Sequence, residues 1–127
     1  METKISKLAT LKQAHIRLSN AIIQATNELE RAGAIQYFEF SYELAWKTLR
    51  QALLYLGKGE ANSPRAVFRE CANAGLIDNP EVWFEFLDNR NQTVHTYDQA
   101  TADHIWHMLP SFEKELQVII ARLEALP

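Results

Sequence analysis

Residues 37–46 read YFEFSYELAW. Phe38, Phe40 and Tyr42 alternate as they would along a β-strand, and aromatic residues favour strands. A wider window decides otherwise. Phe38, Tyr42, Ala45, Leu49, Leu53 and Leu56 recur at steps of three and four, which is the single stripe of a helix. Gly57 and Gly59 then end it. With its most aromatic segment helical, and only four glycines and four prolines in 127 residues, the chain has little room for hairpins.

Working outward, helical spacing continues in both directions. Upstream, Leu8, Leu11, His15, Leu18, Ile22, Ala25 and Leu29 form a seam, and Gly33 reads as its stop signal. Downstream, Ser63-Pro64 opens a short helix as N-cap and first helical residue, and Gly75 closes it. Asn79-Pro80 repeats the device, with Glu81 suited to the positive end of the helix dipole. Ile105, Leu109, Phe112, Leu116, Ile119, Leu123 and Leu126 mark a long last helix, which Pro110 is expected to kink or break. The pattern predicts an all-α fold: an antiparallel up-down bundle of four to five helices in a single domain spanning residues 1–127.

Bulk properties exclude several classes. The chain is 47% apolar and 23% charged, as expected of a globular domain able to bury its own core. It has no apolar run long enough to span a membrane, and METKISKLATLKQ at residues 1–13 does not read as a signal peptide. One cysteine, Cys71, cannot form an internal disulfide, which predicts a reducing, cytoplasmic setting. The formal net charge of −3 disfavours a broadly basic nucleic-acid coat but leaves room for a local patch.

The stretch EVWFEFL at residues 81–87 is followed by DNRNQTVHTYD at 88–98, which contains neither Gly nor Pro. Helical steps from Trp83 and Phe86 reach Arg90, Val94 and Tyr97; steps from Phe84 and Leu87 reach Asn91 and His95. Polar groups thus stand in rows where apolar ones would continue. One reading is a helix end emerging into solvent. The other is a polar site. In that case His95 can move protons near neutral pH, Arg90 can hold a phosphate and stabilise its charge, and Asn91 can position a phosphate, a ribose hydroxyl or the histidine. Cleavage of a phosphodiester by its own 2′-hydroxyl needs such groups and no metal. A two-fold dimer would supply the set twice.

Arg90-Asn91, three residues, His95 and then Tyr97 resemble the R-N-x-x-x-H motif of HEPN domains, in the form with a tyrosine two residues after the histidine. Together with FEFSYELAWKTLR, SPRAVFRECANAGLI and WFEFLDNRNQTVHTYD, the chain is similar over nearly its whole length to the nucleotidyltransferase substrate-binding proteins. The resemblance implies a HEPN-like bundle that forms a homodimer through the motif-bearing helix. It implies a minimal nucleotidyltransferase antitoxin, encoded nearby, as partner of a toxin that is a metal-independent ribonuclease acting on RNA without a cofactor. It implies AMP transfer to the motif tyrosine, here Tyr97, as the silencing step. The family name implies an alternative, a non-catalytic subunit that presents a substrate or nucleotide to the transferase. A third reading is a purely structural dimerisation bundle.

Other constellations carry plainer readings. Lys47, Arg50, Arg65 and Arg69 form a local basic excess that could grip RNA phosphates or could simply be a solvated face. Glu39 and Glu43 read as part of an ion-pair ladder with Lys47 and Arg50, although one of the two carboxylates could face the Arg–His site. His15 reads as a hydrogen-bonded core or interface histidine. Asp103, His104 and His107 lack further ligands at sensible spacing, so no metal site is expected. Cys71 is expected to be buried, and Trp46, Trp83 and Trp106 to anchor the core or an interface rather than stack on bases.

Overall fold

In a computed structural model, which describes residues 5–127, the chain is a five-helix bundle with no strand among the described residues. Residues 1–4, part of the amino-terminal stretch discussed above, lie outside them. The helices are α1 (Leu8–Gln24), α2 (Glu28–Tyr55), α3 (Pro64–Asn73), α4 (Pro80–Gln92) and α5 (Gln99–Glu124), with a single 3₁₀ turn at Thr93–His95 between the last two.

α2 is the spine against which all the other helices pack. Of its predicted stripe, Phe38, Tyr42, Ala45, Leu49 and Leu53 are buried, as the spacing predicts, and Leu56 is partly buried. Phe112 of α5 is the hub of the core. Its ring meets Phe38 at 4.8 Å, Phe86 at 5.2 Å and Trp83 at 5.8 Å, all edge-on, so one side chain locks α2, α4 and α5 together. That lock fixes where the end of α4 emerges.

The caps behave largely as read. Ser63 and Asn79 accept from the backbone N–H groups of Ala66 and Glu81, each just before a proline that starts its helix. Gly75, at φ 79°, lets Leu76 N–H return to the Cys71 carbonyl at 2.9 Å and close α3.

Two boundary expectations need correction. The first helix does not run to Gly33. It ends at Gln24, Ala25 turns extended, and α2 begins at Glu28, so Gly33 lies inside α2. The cause is a box of local hydrogen bonds. Asn27 Oδ1 accepts from Glu30 N–H at 2.8 Å, while the Glu30 carboxylate accepts from the Thr26 N–H and hydroxyl at 2.9 and 2.8 Å. The Thr26 N–H, with help from its hydroxyl, holds the Glu30 carboxyl below the usual carboxylate range. Leu29, counted into the seam, is 83% exposed. Pro110, for its part, does not break α5, which is continuous from Gln99 to Glu124. Pro110 faces solvent, where the carbonyl it frees can be hydrated, and the buried Leu109 and Phe112 on either side hold the register.

Candidate functional site

The site begins where α4 fails to continue. Thr93 is buried, and its hydroxyl donates to the Arg90 carbonyl at 2.7 Å. The Thr93 N–H bonds that same carbonyl, and the Thr96 hydroxyl donates to the Thr93 carbonyl at 3.2 Å. Threonine hydroxyls therefore compete for the carbonyls of the last turn, and the chain tightens into 3₁₀ geometry. Asp98 N–H returns to the His95 carbonyl at 3.0 Å, and the Asp98 side chain caps α5 through the Thr101 N–H at 3.1 Å. The α-helical register carried past Gln92 is thus a correction: Asn91 and His95 do not share one α-helical face, because the turn between them has a different pitch.

Arg90 is half-buried in the last turn of α4, and its guanidinium faces α2. Its Nε lies 3.8 Å from Glu43 Oε1, too far for a hydrogen bond but close enough for charge pairing. The Glu43 carboxylate is held from its other oxygen by Trp46 Nε1–H at 3.1 Å. Among the described residues the Arg90 side chain makes no hydrogen bond, and its Nε–H is shielded from water without an acceptor. The site therefore contains a charge-balanced guanidinium whose directed donors are unspent.

Beneath it, Tyr42 is 1% exposed, and its hydroxyl has no partner among the described residues. Burial first, and then the Glu43 carboxylate, push this phenol well above the usual tyrosine range; Arg90 and Arg65 pull weakly the other way. At neutral pH it is a proton donor awaiting an acceptor. In the sequence Tyr42 reads only as one member of an apolar stripe.

His95, Tyr97 and Asn91 are exposed, and Tyr97 is 84% so. His95 Nδ1 and the Tyr97 hydroxyl are 3.3 Å apart, with ring centroids at 5.9 Å. The structure thus joins His95 to Tyr97 and Arg90 to Glu43, while Asn91 makes no side-chain hydrogen bond among the described residues. Val94, the lone aliphatic residue of the turn, is 66% exposed.

The basic residues divide into two groups. Arg65 and Arg69 of α3 lie over the Phe84 ring at 5.1 and 5.4 Å, and Arg65 also approaches Asp88 at 3.6 Å. Arg50 lies over Trp46 at 5.3 Å, and Lys47 is half-buried on the same helix. The ion-pair ladder read along α2 does not form. Glu43 turns to Arg90 and Trp46, and Glu39, Lys47 and Arg50 pair with none of one another.

The remaining candidates sit elsewhere. His15 Nε2 lies 3.0 Å from Glu113 Oε1, an oxygen that also accepts from the Ser19 hydroxyl at 2.7 Å and from Gln117 at 2.9 Å. This ties α1 to α5. His104 and His107 are exposed on α5, and no three His, Cys, Asp or Glu side chains cluster in metal-binding geometry among the described residues. Cys71 is fully buried, and burial pushes its thiol up to about 12, which leaves it unreactive at neutral pH. Trp83 anchors the core, whereas Trp46 and Trp106 are half-buried and each carries an arginine on its face. No helix among the described residues is long and apolar enough to cross a membrane.

Comparison with known proteins places these features in context. A family model described as "Nucleotidyltransferase substrate binding protein like" matches residues 6–125. A Haemophilus influenzae protein named "Probable ribonuclease HepT" is 34% identical over 96 residues, 72% of this chain and 66% of that relative, so the match falls just short of two thirds of its length. Among solved structures, a Haemophilus influenzae protein described as having the fold of a substrate-binding domain of a nucleotidyltransferase superposes with a TM-score of 0.80. It is 29% identical over 92% of this chain and 98% of its own. A protein from Thermus thermophilus gives 0.76 at 31% identity, over 95% and 98% of the two chains.

Proposed function

The chain belongs to the nucleotidyltransferase substrate-binding protein family, and on that premise we propose that it is the HEPN toxin of a toxin–antitoxin pair, a metal-independent endoribonuclease. The carrying observation is the unspent Arg90 guanidinium in the last turn of α4, followed five residues on by an exposed His95 that meets Tyr97. A half-buried arginine that is charge-balanced but not hydrogen-bonded is suited to a phosphate, which takes several directed donors at once. The likeness to a relative named as a ribonuclease supports the same reading.

In this mechanism Arg90 holds a non-bridging phosphate oxygen and stabilises the charge that grows on it as the strand's own 2′-hydroxyl attacks. His95 transfers the proton, taking it from the 2′-hydroxyl or giving it to the departing 5′-oxygen. Asn91, exposed one residue from Arg90, positions the strand. A homodimer through the end of α4 supplies a second set, so that one His95 acts as base and its counterpart as acid. Lys47, Arg50, Arg65 and Arg69 lead the backbone toward the site. The partner is a minimal nucleotidyltransferase in the same cytoplasm. It silences the toxin by transferring AMP to Tyr97, whose exposed hydroxyl is reachable and lies close enough to His95 for an anionic adduct to block it.

The test is direct. The purified chain should cleave RNA with EDTA present, should arrest growth when expressed alone, and should gain AMP on Tyr97 when co-expressed with the transferase. A chain that is harmless alone and inert toward RNA would favour the second reading, a subunit that presents substrate to the transferase, which the family name supports.

A further inference from the structure

A cleft of about 260 Å³ opens just after the 3₁₀ turn, between the amino-terminal halves of α2 and α5. Thr96, next to His95, forms one wall, and Glu39, one helical turn before Glu43, forms another, so the cleft adjoins the Arg90–His95 site. Its other principal residues are Arg31, Gln99, Asp103 and Trp106.

Three observations define what fits. First, the Arg31 guanidinium carbon lies over the Trp106 ring, 5.4 Å from its centroid, and the side chain forms no ion pair among the described residues and has a shielded Nε–H with no acceptor. The cation–π attraction of the ring holds the guanidinium at this wall of the cleft. Second, Glu39 carries no hydrogen bond or ion pair among the described residues, whereas Asp103 already accepts from Gln99 at 2.8 Å. Third, Glu28, Glu39 and Asp103 around a single arginine make the cleft net acidic, which repels a phosphate. A neutral planar group is therefore favoured, with acceptors on one edge for Arg31 and donors on another for Glu39.

We infer that this cleft binds a guanine base of the substrate strand next to the cleavage site. Guanine has acceptors at O6 and N7, which match a guanidinium fork, and donors at N1 and N2, which match a carboxylate. Adenine places an amino group where O6 would be and so aims a donor at donors. Cytosine crowds its acceptors O2 and N3 and its N4 amino donor onto one edge, and uracil alternates acceptor, donor and acceptor on its own, so neither offers acceptors on one edge and donors on another. The RNA identity of the strand rests on the ribonuclease reading; the base recognition does not.

The test uses the full chain and free nucleosides, so that no phosphate contributes. Guanosine, adenosine, cytidine and uridine are titrated while the Trp106 indole and Arg31 Nε–H resonances are followed by NMR. Guanosine should move both and bind at least about tenfold tighter than the other three, the discrimination typical of a bidentate pair. Arg31→Lys, which keeps the charge but loses the fork, and Glu39→Gln should each erase that preference. Four equal affinities, shifts that avoid Trp106, or a preference intact in both variants would overturn the inference. The titration needs no cleavage. A chain that binds guanosine but cuts no RNA sinks the ribonuclease reading and upholds the pocket, whereas one that cuts RNA yet ignores guanosine sinks the pocket alone.

Discussion

Two histidines of this bundle sit in opposite circumstances. His15 lies in a closed cluster: Glu113 accepts from it, from Ser19 and from Gln117, and the group pins α1 to α5. His95 lies on a 3₁₀ turn in solvent with one tyrosine hydroxyl at 3.3 Å, a turn away from an arginine whose donors are unused. The first arrangement satisfies its polar groups and so stabilises the fold. The second leaves the Arg90 donors unspent and His95 open to solvent, which suits groups waiting for a ligand. The same residue type serves stability in one place and is available for chemistry in the other.

Breaking the open arrangement should have the larger consequence for activity. Arg90→Ala and His95→Ala should each lower RNA cleavage by roughly 10²- to 10⁴-fold, the range for a lost charge stabiliser or proton carrier. Thermal unfolding should shift little, because His95 is exposed and the Arg90–Glu43 pair, half-exposed at 3.8 Å, contributes under about 1 kcal/mol. Cleavage at the parental rate in both variants would show that the open cluster is not the site. Tyr97→Phe sharpens the point. It should leave a toxin that cleaves RNA but can no longer be silenced by its transferase, read as growth arrest that co-expression fails to relieve and as a chain with no AMP by mass spectrometry. Relief of that arrest would place the silencing step elsewhere.

Glu43 links the two kinds of arrangement, since it is fixed by Trp46 yet faces Arg90. Glu43→Gln keeps the shape and removes the charge. The guanidinium then loses its orienting partner but keeps every donor, so cleavage should fall by about tenfold, a barrier change of roughly 1.4 kcal/mol. The loss should appear in kcat more than in KM if Glu43 positions Arg90 for the transition state. An equal rise in KM with kcat intact would instead make Glu43 part of the RNA-binding surface.

The legibility of the sequence follows the same division. The core was readable because burial is periodic: the stripe from Phe38 to Leu53 and the run from Ile105 to Leu123 are buried as the spacing predicts. Helix ends were readable where a proline follows a capping residue, at Ser63 and Asn79. They were missed where side chains set the boundary. Asn27 and Glu30 restart the chain at a point the apolar seam passes straight through, and the Asn-x-x-Glu spacing was the available signal. Thr93 likewise ends α4 through its own carbonyl bond, which no periodicity reports. At the site, Arg90 and His95 stood out as polar intrusions in apolar rows. Tyr42 did not, because a tyrosine fits a core stripe; Glu39 and Glu43 were both candidates to face the Arg–His site, and the spacing alone did not choose between them. Only the tertiary fold brings α4 across α2 and turns Glu43 toward Arg90.

The closed cluster gives the smallest effect and the cleanest control. Ser19 and Gln117 still satisfy Glu113 once His15 is gone, so His15→Ala leaves no buried carboxylate stranded. What is lost is one part-buried hydrogen bond and some packing between α1 and α5. Stability should fall by about 1 kcal/mol, or a Tm change of about 4 °C, while RNA cleavage stays at the parental rate. If His15→Ala instead abolished cleavage with little change in Tm, the contrast between the two histidines would fail, because the α1–α5 seam would then carry chemistry. If it unfolded the chain, Glu113 would depend on the imidazole far more than its other two hydrogen bonds allow.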